Sequence, residues 1–250
     1  MMSKDFKQYD SRWGLVGYPY SPYTVRGSGC GPTSIADIVC DSPKYKGITP
    51  KAVAVYMRGK GYAIPGQGST WDGITQTLKH YGFKVQRPDT VPEFYKLIKA
   101  GKTGILLVNS RYAPDGTQWT SGGHYVACVG AKKKNGKMWF KTYDPGGRGH
   151  SGWYCYENSM KGCLNQLWTA ELKLIVPTSK LKKGSKKKTE VMWLQLCLNK
   201  VLGTSLTPDG IFGDKTAKAV NQYKKKCGFK KLDGIYGPKT QDCLRKAVEK

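Results

Sequence analysis

Cys30 stands in Gly27-Ser-Gly-Cys-Gly-Pro-Thr-Ser34, directly ahead of Ile35-Ala-Asp-Ile-Val39. Pro32 suits the first turn of a helix, where its missing N–H leaves nothing unsatisfied. The stretch after it reads as an amphipathic helix, so Cys30 falls at a loop-to-helix junction. The partial positive charge at such a point favours a thiolate and lowers a cysteine's pKa. Gly29 and Gly31 carry no side chains, which would open the sulfur to a substrate backbone. The chemistry these residues predict is nucleophilic attack by a thiolate, and it requires a base.

The chain has three histidines. His80 lies in the helix-like stretch Ile74–Tyr81 and reads as a helix-end or surface residue. His150 sits in a glycine-rich loop. His124 is the candidate base. Gly122-Gly123-His124 opens the β-type run Tyr125-Val-Ala-Cys-Val-Gly130, and a second run, Met138-Trp-Phe-Lys-Thr-Tyr143, ends at Asp144-Pro145. The two runs read as a β-hairpin. Asp144 is the candidate third member, holding the imidazole in its working tautomer.

The hairpin register decides whether that works. With residues 132–136 as a five-residue loop, Ala131 faces Lys137 and, stepping outward, His124 faces Asp144. Their Cβ atoms would then lie about 5 Å apart on one face. With Asn135-Gly136 as a two-residue turn, Asp144 faces Ala127 and points away from His124. The functional reading requires the first parity.

The elements that must position these residues belong to an N-terminal region ending near Pro177. The stretch Pro177-Thr-Ser-Lys-Leu-Lys-Lys-Gly-Ser-Lys-Lys-Lys-Thr189 has Leu181 as its one large apolar side chain after the proline and reads as a linker. Beyond it, Asp209-Gly-Ile-Phe-Gly-Asp-Lys-Thr216 recurs as Asp233-Gly-Ile-Tyr-Gly-Pro-Lys-Thr240, with six of eight positions matching at an offset of 24. Each copy reads as a turn followed by a helix start, with Asp214 as an N-cap and Pro238 as a first helical residue. Helical periodicity follows each copy, at Ala219, Val220 and Tyr223 and at Cys243, Leu244, Ala247 and Val248, and precedes the repeat from Val191 to Leu202. The expectation is a small three-helix bundle. The division is 1–177, a basic linker 178–189, and 190–250.

The net charge is +25, and residues 179–250 carry nearly half of the excess. Such a field draws a protein to polyanions: nucleic acid, an anionic membrane, or the teichoic acids and carboxylates of a bacterial wall. No reading motif for nucleic acid is present. No stretch approaches the ~18 apolar residues that would insert in a membrane. The eight cysteines include no C-x-x-C pair, so neither a metal site nor a cofactor is expected. Cys40, Cys128, Cys197 and Cys243 lie in apolar runs and read as small core side chains. Met1 to Gly14 lacks an apolar signal region. The expected location is the host cytoplasm until release, then the bacterial cell wall. Most thiols should then be reduced. The oligomeric state is not set by the sequence.

Two resemblances join these readings. Leu194-Gln195-x-x-Leu198-Asn199, followed by Asp-Gly-Ile-Phe-Gly-Asp-Lys-Thr, is similar to the peptidoglycan-binding domain at the ends of many wall hydrolases, over about 190–248. In that domain the repeated turns identify the fold better than they identify ligand contacts. Cys30 in Gly-Cys-Gly-Pro-Thr-Ser, His124 in Gly-Gly-His-Tyr-Val and Asp144 in Tyr-Asp-Pro resemble the papain-like cysteine peptidases. The branch is that of the bacteriocin-leader peptidases and their cell-wall relatives, and Gly68-Ser-Thr-Trp-Asp-Gly73 and Tyr81-Gly-Phe83 look like it too. The resemblance spans about 5–175. It implies an α+β papain-like catalytic domain, and a role for Gln8 in donating to the oxyanion. The Tyr- and Pro-rich insertion Leu15–Arg26 separates Gln8 from Cys30 by more than in papain itself. Trp13, Trp71, Trp119 and Trp153 are candidates to line a groove.

The combination implies a cysteine peptidase or amidase that cuts peptidoglycan, in the manner of a phage endolysin. Alternatives with the same parts are a bacterial autolysin or toxin with endopeptidase or N-acetylmuramoyl-L-alanine amidase chemistry, and an inactive wall-binding protein.

Overall fold

The computed structural model describes residues 5–40, 42, 45 and 47–248. The chain divides into two compact units between Leu172 and Lys173.

The first unit is α+β. After the short helix α1 (Val25–Ser28) come α2 (Cys30–Val39), α3 (Pro50–Gly59), the two-residue strands β1 (Ala63–Ile64) and β2 (Gly68–Ser69), and α4 (Trp71–His80). Then follow β3 (Phe83–Gln86), α5 (Val91–Lys99), β4 (Thr103–Val108), β5 (His124–Lys134), β6 (Lys137–Tyr143), β7 (Gly152–Cys155) and β8 (Leu164–Leu172). The six longer strands make one antiparallel sheet in the order β3-β8-β4-β5-β6-β7. Thr49, Thr70 and Thr90 each begin a helix, accepting from the N–H of Ala52, Gly73 and Glu93. A threonine in extended conformation before a helix satisfies one of the N–H groups that the first turn leaves unpaired.

The sheet is covered on both faces. Phe94 and Ile98 of α5 pack with Leu106, Val126, Cys128 and Phe140 in one apolar cluster. On the other face α4 meets β8, where Trp168 Nε1 donates to Thr75 Oγ1 at 3.0 Å. Helix α2 lies between α4 and β5: Gly31 packs on Ile74 and Ser69, and Ser34 Oγ donates to the carbonyl of Tyr125 at 3.1 Å. All ten residues of α2 are buried. The sequence reads there as amphipathic, but the helix runs through the interior, so its polar residues are bonded internally. Asp37, fully buried, accepts the N–H of Phe6 at 2.8 Å.

The second unit holds α6 (Lys188–Leu202), α7 (Asp214–Lys226) and α8 (Pro238–Val248) around a core of Val191, Leu194, Leu198, Phe212, Val220, Tyr236 and Leu244. The internal repeat is structural. Asp209 and Asp233 each accept the N–H two residues on, from Ile211 and Ile235. Gly210 and Gly234 have φ of 71° and 68°, a left-handed turn that a side chain would strain. Their N–H groups donate to amide side chains on the preceding helix, Gln195 at 3.0 Å and Asn221 at 2.7 Å. Phe212 and Tyr236 enter the core at equivalent positions.

Four details differ from the sequence reading. Leu181, in the expected linker, is fully buried in this core and bridges to Tyr236, so an apolar anchor ties that segment to the second unit. Helix α6 begins at Lys188, inside the same stretch. Asp214 is the first helical residue and Gly213 is the N-cap, and the Asp214 carboxylate pairs with Lys183 instead of capping. Cys243 is joined to Cys227 in a disulfide, linking the end of α7 to α8.

Candidate active site

Cys30 is the first residue of α2, with Gly29 as its N-cap. Only Gly29 separates α1 from α2, and the turn is tight. A Cβ on Gly29 would sit 2.5 Å from the carbonyl oxygen of Val25. A Cβ on Gly31 would sit 2.1 Å from Ser69 Oγ. These glycines therefore permit close internal packing around Cys30, where the sequence reading has them opening a path for substrate. Ser69, near Gly31, accepts at its carbonyl from Tyr125 Oη (3.0 Å) and shares a 2.7 Å hydrogen bond between its hydroxyl and that of Tyr18. Tyr18 and Tyr125 are buried beside Cys30, and burial raises both phenols, so they stay neutral.

His124 is the first residue of β5, and Asp144 directly follows β6. The connection between these strands is the two-residue Asn135-Gly136 turn, with φ of 50° and 75°. Lys134 pairs with Lys137 and Gly130 with Lys141. On that register alone Asp144 would point away from His124. A bulge intervenes between Cys128 and Gly130: Cys128 pairs with Thr142 and Ala127 with Tyr143. The extra residue, Val129, shifts the ladder by one position, and side-chain direction alternates with period two. Extending the register one step places Asp144 opposite Val126, on the same face as His124. The required parity is met by a turn and a bulge together, not by the five-residue loop.

His124 Nε2 and Asp144 Oδ1 are 2.6 Å apart. Asp144 is fully buried, while His124 and Cys30 each retain 9% exposure. The carboxylate also accepts N–H bonds from Gly146 at 2.8 Å, to Oδ1, and from His150 at 3.1 Å, to Oδ2. With Nε2 occupied, the other ring nitrogen, Nδ1, is left for Cys30. A Cβ on Gly146 would come within 3.1 Å of the imidazole, so this position backs the ring closely.

The three groups shift one another's titration. Burial raises the Cys30 thiol, but hydrogen bonding and attraction from His124, with the N–H groups of Tyr125 and Gly31, outweigh it and leave Cys30 below its ordinary value. Burial lowers His124, but the bonds to Asp144 and Cys30 outweigh it and hold the imidazole well above the usual histidine range. Burial raises Asp144, and His124 with the two N–H donors overcomes that, so it is held as a carboxylate. A lowered thiol beside a raised imidazole is the condition for a thiolate–imidazolium pair.

Gln8 reaches this neighbourhood from the N-terminal segment. Its N–H donates to Pro145 O at 2.9 Å, and its Nε2 donates to the carbonyl of Arg26 at 2.6 Å, four residues ahead of Cys30. Its Oε1 is buried without a partner among the described residues.

Several supporting residues left no signal in the sequence. Lys7 Nζ donates to the carbonyl of Asp144 (2.7 Å) and to Ser151 Oγ (2.9 Å), and that hydroxyl accepts the N–H of Asp144 (2.9 Å). His150 holds Asp144 through its backbone, while its ring meets Trp119 and the carbonyl of Gln118. His80 ends α4 and stacks on Tyr56. Trp13 and Trp119 are core residues, so of the four tryptophans considered for a groove only Trp71 and Trp153 are exposed.

Residues 187–244 match the family described as "Putative peptidoglycan binding domain", so the region of α6–α8 carries that domain's pattern. Among curated proteins none matches the chain. Three solved structures are similar over 58% of this chain. The peptidase domain of Streptococcus ComA, a bifunctional ABC transporter involved in a quorum-sensing pathway, is 18% identical, with 92% of that chain covered and a TM-score of 0.42. A C39-like peptidase from Bacillus anthracis is 18% identical, with 89% covered and a TM-score of 0.38. A peptidoglycan-binding protein from Clostridioides difficile, in complex with glutamine hydroxamate, is 20% identical, with 94% covered and a TM-score of 0.26.

Proposed function

We propose that this chain is a peptidoglycan hydrolase of the phage endolysin type. Its first unit cuts an amide bond of the wall peptide by Cys30–His124–Asp144 catalysis, and its second unit holds it on the wall. The observation that carries the reading is the buried series of cysteine at a helix start, imidazole and carboxylate, with the thiol lowered and the imidazole raised.

In the first half-reaction the Cys30 thiolate attacks the amide carbonyl and a C–S bond forms. The oxyanion accepts from the Cys30 N–H and from the Gln8 side-chain amide. As the intermediate collapses the C–N bond breaks, and His124 gives its Nδ1 proton to the leaving amine. His124 then takes a proton from water, the hydroxide attacks the thioester, and the acid leaves with Cys30 regenerated. Asp144 keeps Nε2 protonated throughout and stabilises the imidazolium.

The test uses purified protein and Cys30→Ala on peptidoglycan from several Gram-positive bacteria, counting new amino termini and reducing ends. New amino termini or free peptides from wild type alone support the reading, and mass spectrometry of the fragments separates endopeptidase from amidase. Equal activity of the variant removes Cys30 as nucleophile. Binding without cleavage by either protein on every wall points to a wall-binding protein.

A further inference from the structure

The outer half of the hairpin carries an unusual surface. Residues paired across an antiparallel ladder share a face. Lys134 pairs with Lys137, Lys132 with Trp139, and Lys141 with both Gly130 and Trp153. One face of β5, β6 and β7 therefore presents Lys132, Lys134, Lys137 and Lys141 among Trp139, Tyr143 and Trp153. From Gly130 to Tyr143, and along β7, there is no acidic residue. None of these lysines forms an ion pair among the described residues. Lys137 Nζ donates to the neutral amide of Asn158 at 3.0 Å. The other three lie by rings: Lys132 Nζ is 4.0 Å from the centre of Trp153, Lys134 Nζ 5.7 Å from Trp139, and Lys141 Nζ 5.8 Å from Tyr143. Gly130 lies beside this ring, and a Cβ there would make an ordinary contact of 3.5 Å with Trp153.

Like charges directly opposed on a ladder destabilise it. Glu157 lies near enough to Lys137 to attract it, while Lys132, Lys134 and Lys141 have no acidic partner at ion-pair distance among the described residues. Trp153 stays 39% exposed beneath a lysine. Lysines without ion-pair partners among the described residues, set among one exposed ring and two half-buried ones on one face of the sheet, suit a strand that is both anionic and rich in sugar or polyol carbons. The ammonium groups meet phosphates, and the rings meet the carbon chain.

We infer that this face is a second wall-binding surface, separate from α6–α8, which takes a phosphodiester-linked polyol or sugar polymer of the bacterial wall. The inference rests on the wall-hydrolase reading for the choice of polyanion. The charge complementarity rests on the face itself.

The full-length chain would be tested on Gram-positive walls, intact or stripped of phosphodiester polymer with hydrofluoric acid, and on soluble poly(glycerol phosphate). The variants are Lys132→Ala/Lys134→Ala/Lys141→Ala, the single Trp153→Ala, and a charge-matched control, Lys51→Ala/Lys60→Ala/Lys79→Ala, on exposed positions of α3, its C-cap and α4. Wild type should bind intact walls more tightly than stripped ones. The face variant should bind both equally. Its slope of log K against log salt for the soluble polymer should fall by about 2, at ~0.7 for each phosphate that a lysine no longer neutralises. Trp153→Ala should weaken polymer binding several-fold with the slope unchanged.

A control variant that binds as weakly as the face variant overturns the inference, because net charge alone would then suffice. So does wild type that binds stripped walls as well as intact ones. A face variant that loses duplex DNA binding but keeps the polymer also overturns it, by assigning the face to nucleic acid. Failure of wild type to bind stripped walls, with polymer binding intact, would instead count against the wall reading of the second unit.

Discussion

Asp144→Asn isolates the electrostatic part of the site with almost no change in volume. The wild-type carboxylate accepts three hydrogen bonds, and the one from His124 is charge-assisted at 2.6 Å. The asparagine oxygen can still accept from His124 and Gly146, but its NH2 then faces the N–H of His150, which loses its acceptor. An opposite charge this close moves a pKa by about 1–3 units, or ~1.4–4 kcal/mol. Removing it lets His124 fall back toward its ordinary range. Cys30, whose main counter to burial is His124, then rises toward its own ordinary value. The expected loss in kcat/KM on wall peptide is about 10- to 1000-fold.

The direction is set by the shifts. In the wild type the productive pair exists above the lowered Cys30 titration and below the raised His124 titration. The variant should therefore move the acid limb of the activity profile up and the basic limb down. The same acid limb is readable without substrate, as the pH dependence of Cys30 alkylation, with Cys30→Ala giving the background from the other thiols. An unchanged alkylation profile in a folded Asp144→Asn protein would refute the coupling between carboxylate, imidazole and thiol.

Three further outcomes rest on the packing. Deleting Val129 removes the unpaired residue and leaves Cys128 facing Thr142 and Ala127 facing Tyr143, so His124 and Asp144 keep a common face. Activity of the deletion variant should therefore stay within about tenfold of wild type, and loss of cleavage in a folded variant would show that the bulge does more at the site than absorb the extra residue. Gly31→Ala drives a Cβ into Ser69 Oγ, so it should cost about 1–3 kcal/mol by thermal melting of the first unit, and Gly31→Ala/Ser69→Gly should recover part of that; equal melting of Gly31→Ala and wild type contradicts the close approach. Leu181→Ala should destabilise the second unit by about 2–5 kcal/mol in denaturant unfolding, whereas a free linker residue would leave the midpoint unchanged.

The local features were readable in the sequence because short-range chemistry determines them. Cys30 is at a helix start because Pro32 and the apolar run after it permit little else. The repeat at Asp209 and Asp233 makes two like turns because Asp-Gly carries its own acceptor and its own positive φ. The helix periods of the second unit follow from burial on one side. Features that depend on what a residue meets from far along the chain were not readable. The ten residues of α2 look amphipathic, yet all are buried, because α3, α4 and β5 pack around the helix and the Phe6 N–H bonds Asp37. Leu181 looks like one apolar residue in a basic linker, and only Tyr236, far along the chain, makes it an anchor. The choice of Asn135-Gly136 as the turn is local, but the extra residue at Val129 is a matter of ladder geometry, with no marker in residue type. That this residue is bulged out of the ladder rather than paired decides whether His124 and Asp144 share a face. The sequence by itself determined which side chains were available for thiol chemistry and where helices and turns begin. Tertiary structure decided their parity, their burial and hence their charge, because these depend on desolvation and on partners that only the folded chain brings within hydrogen-bonding reach.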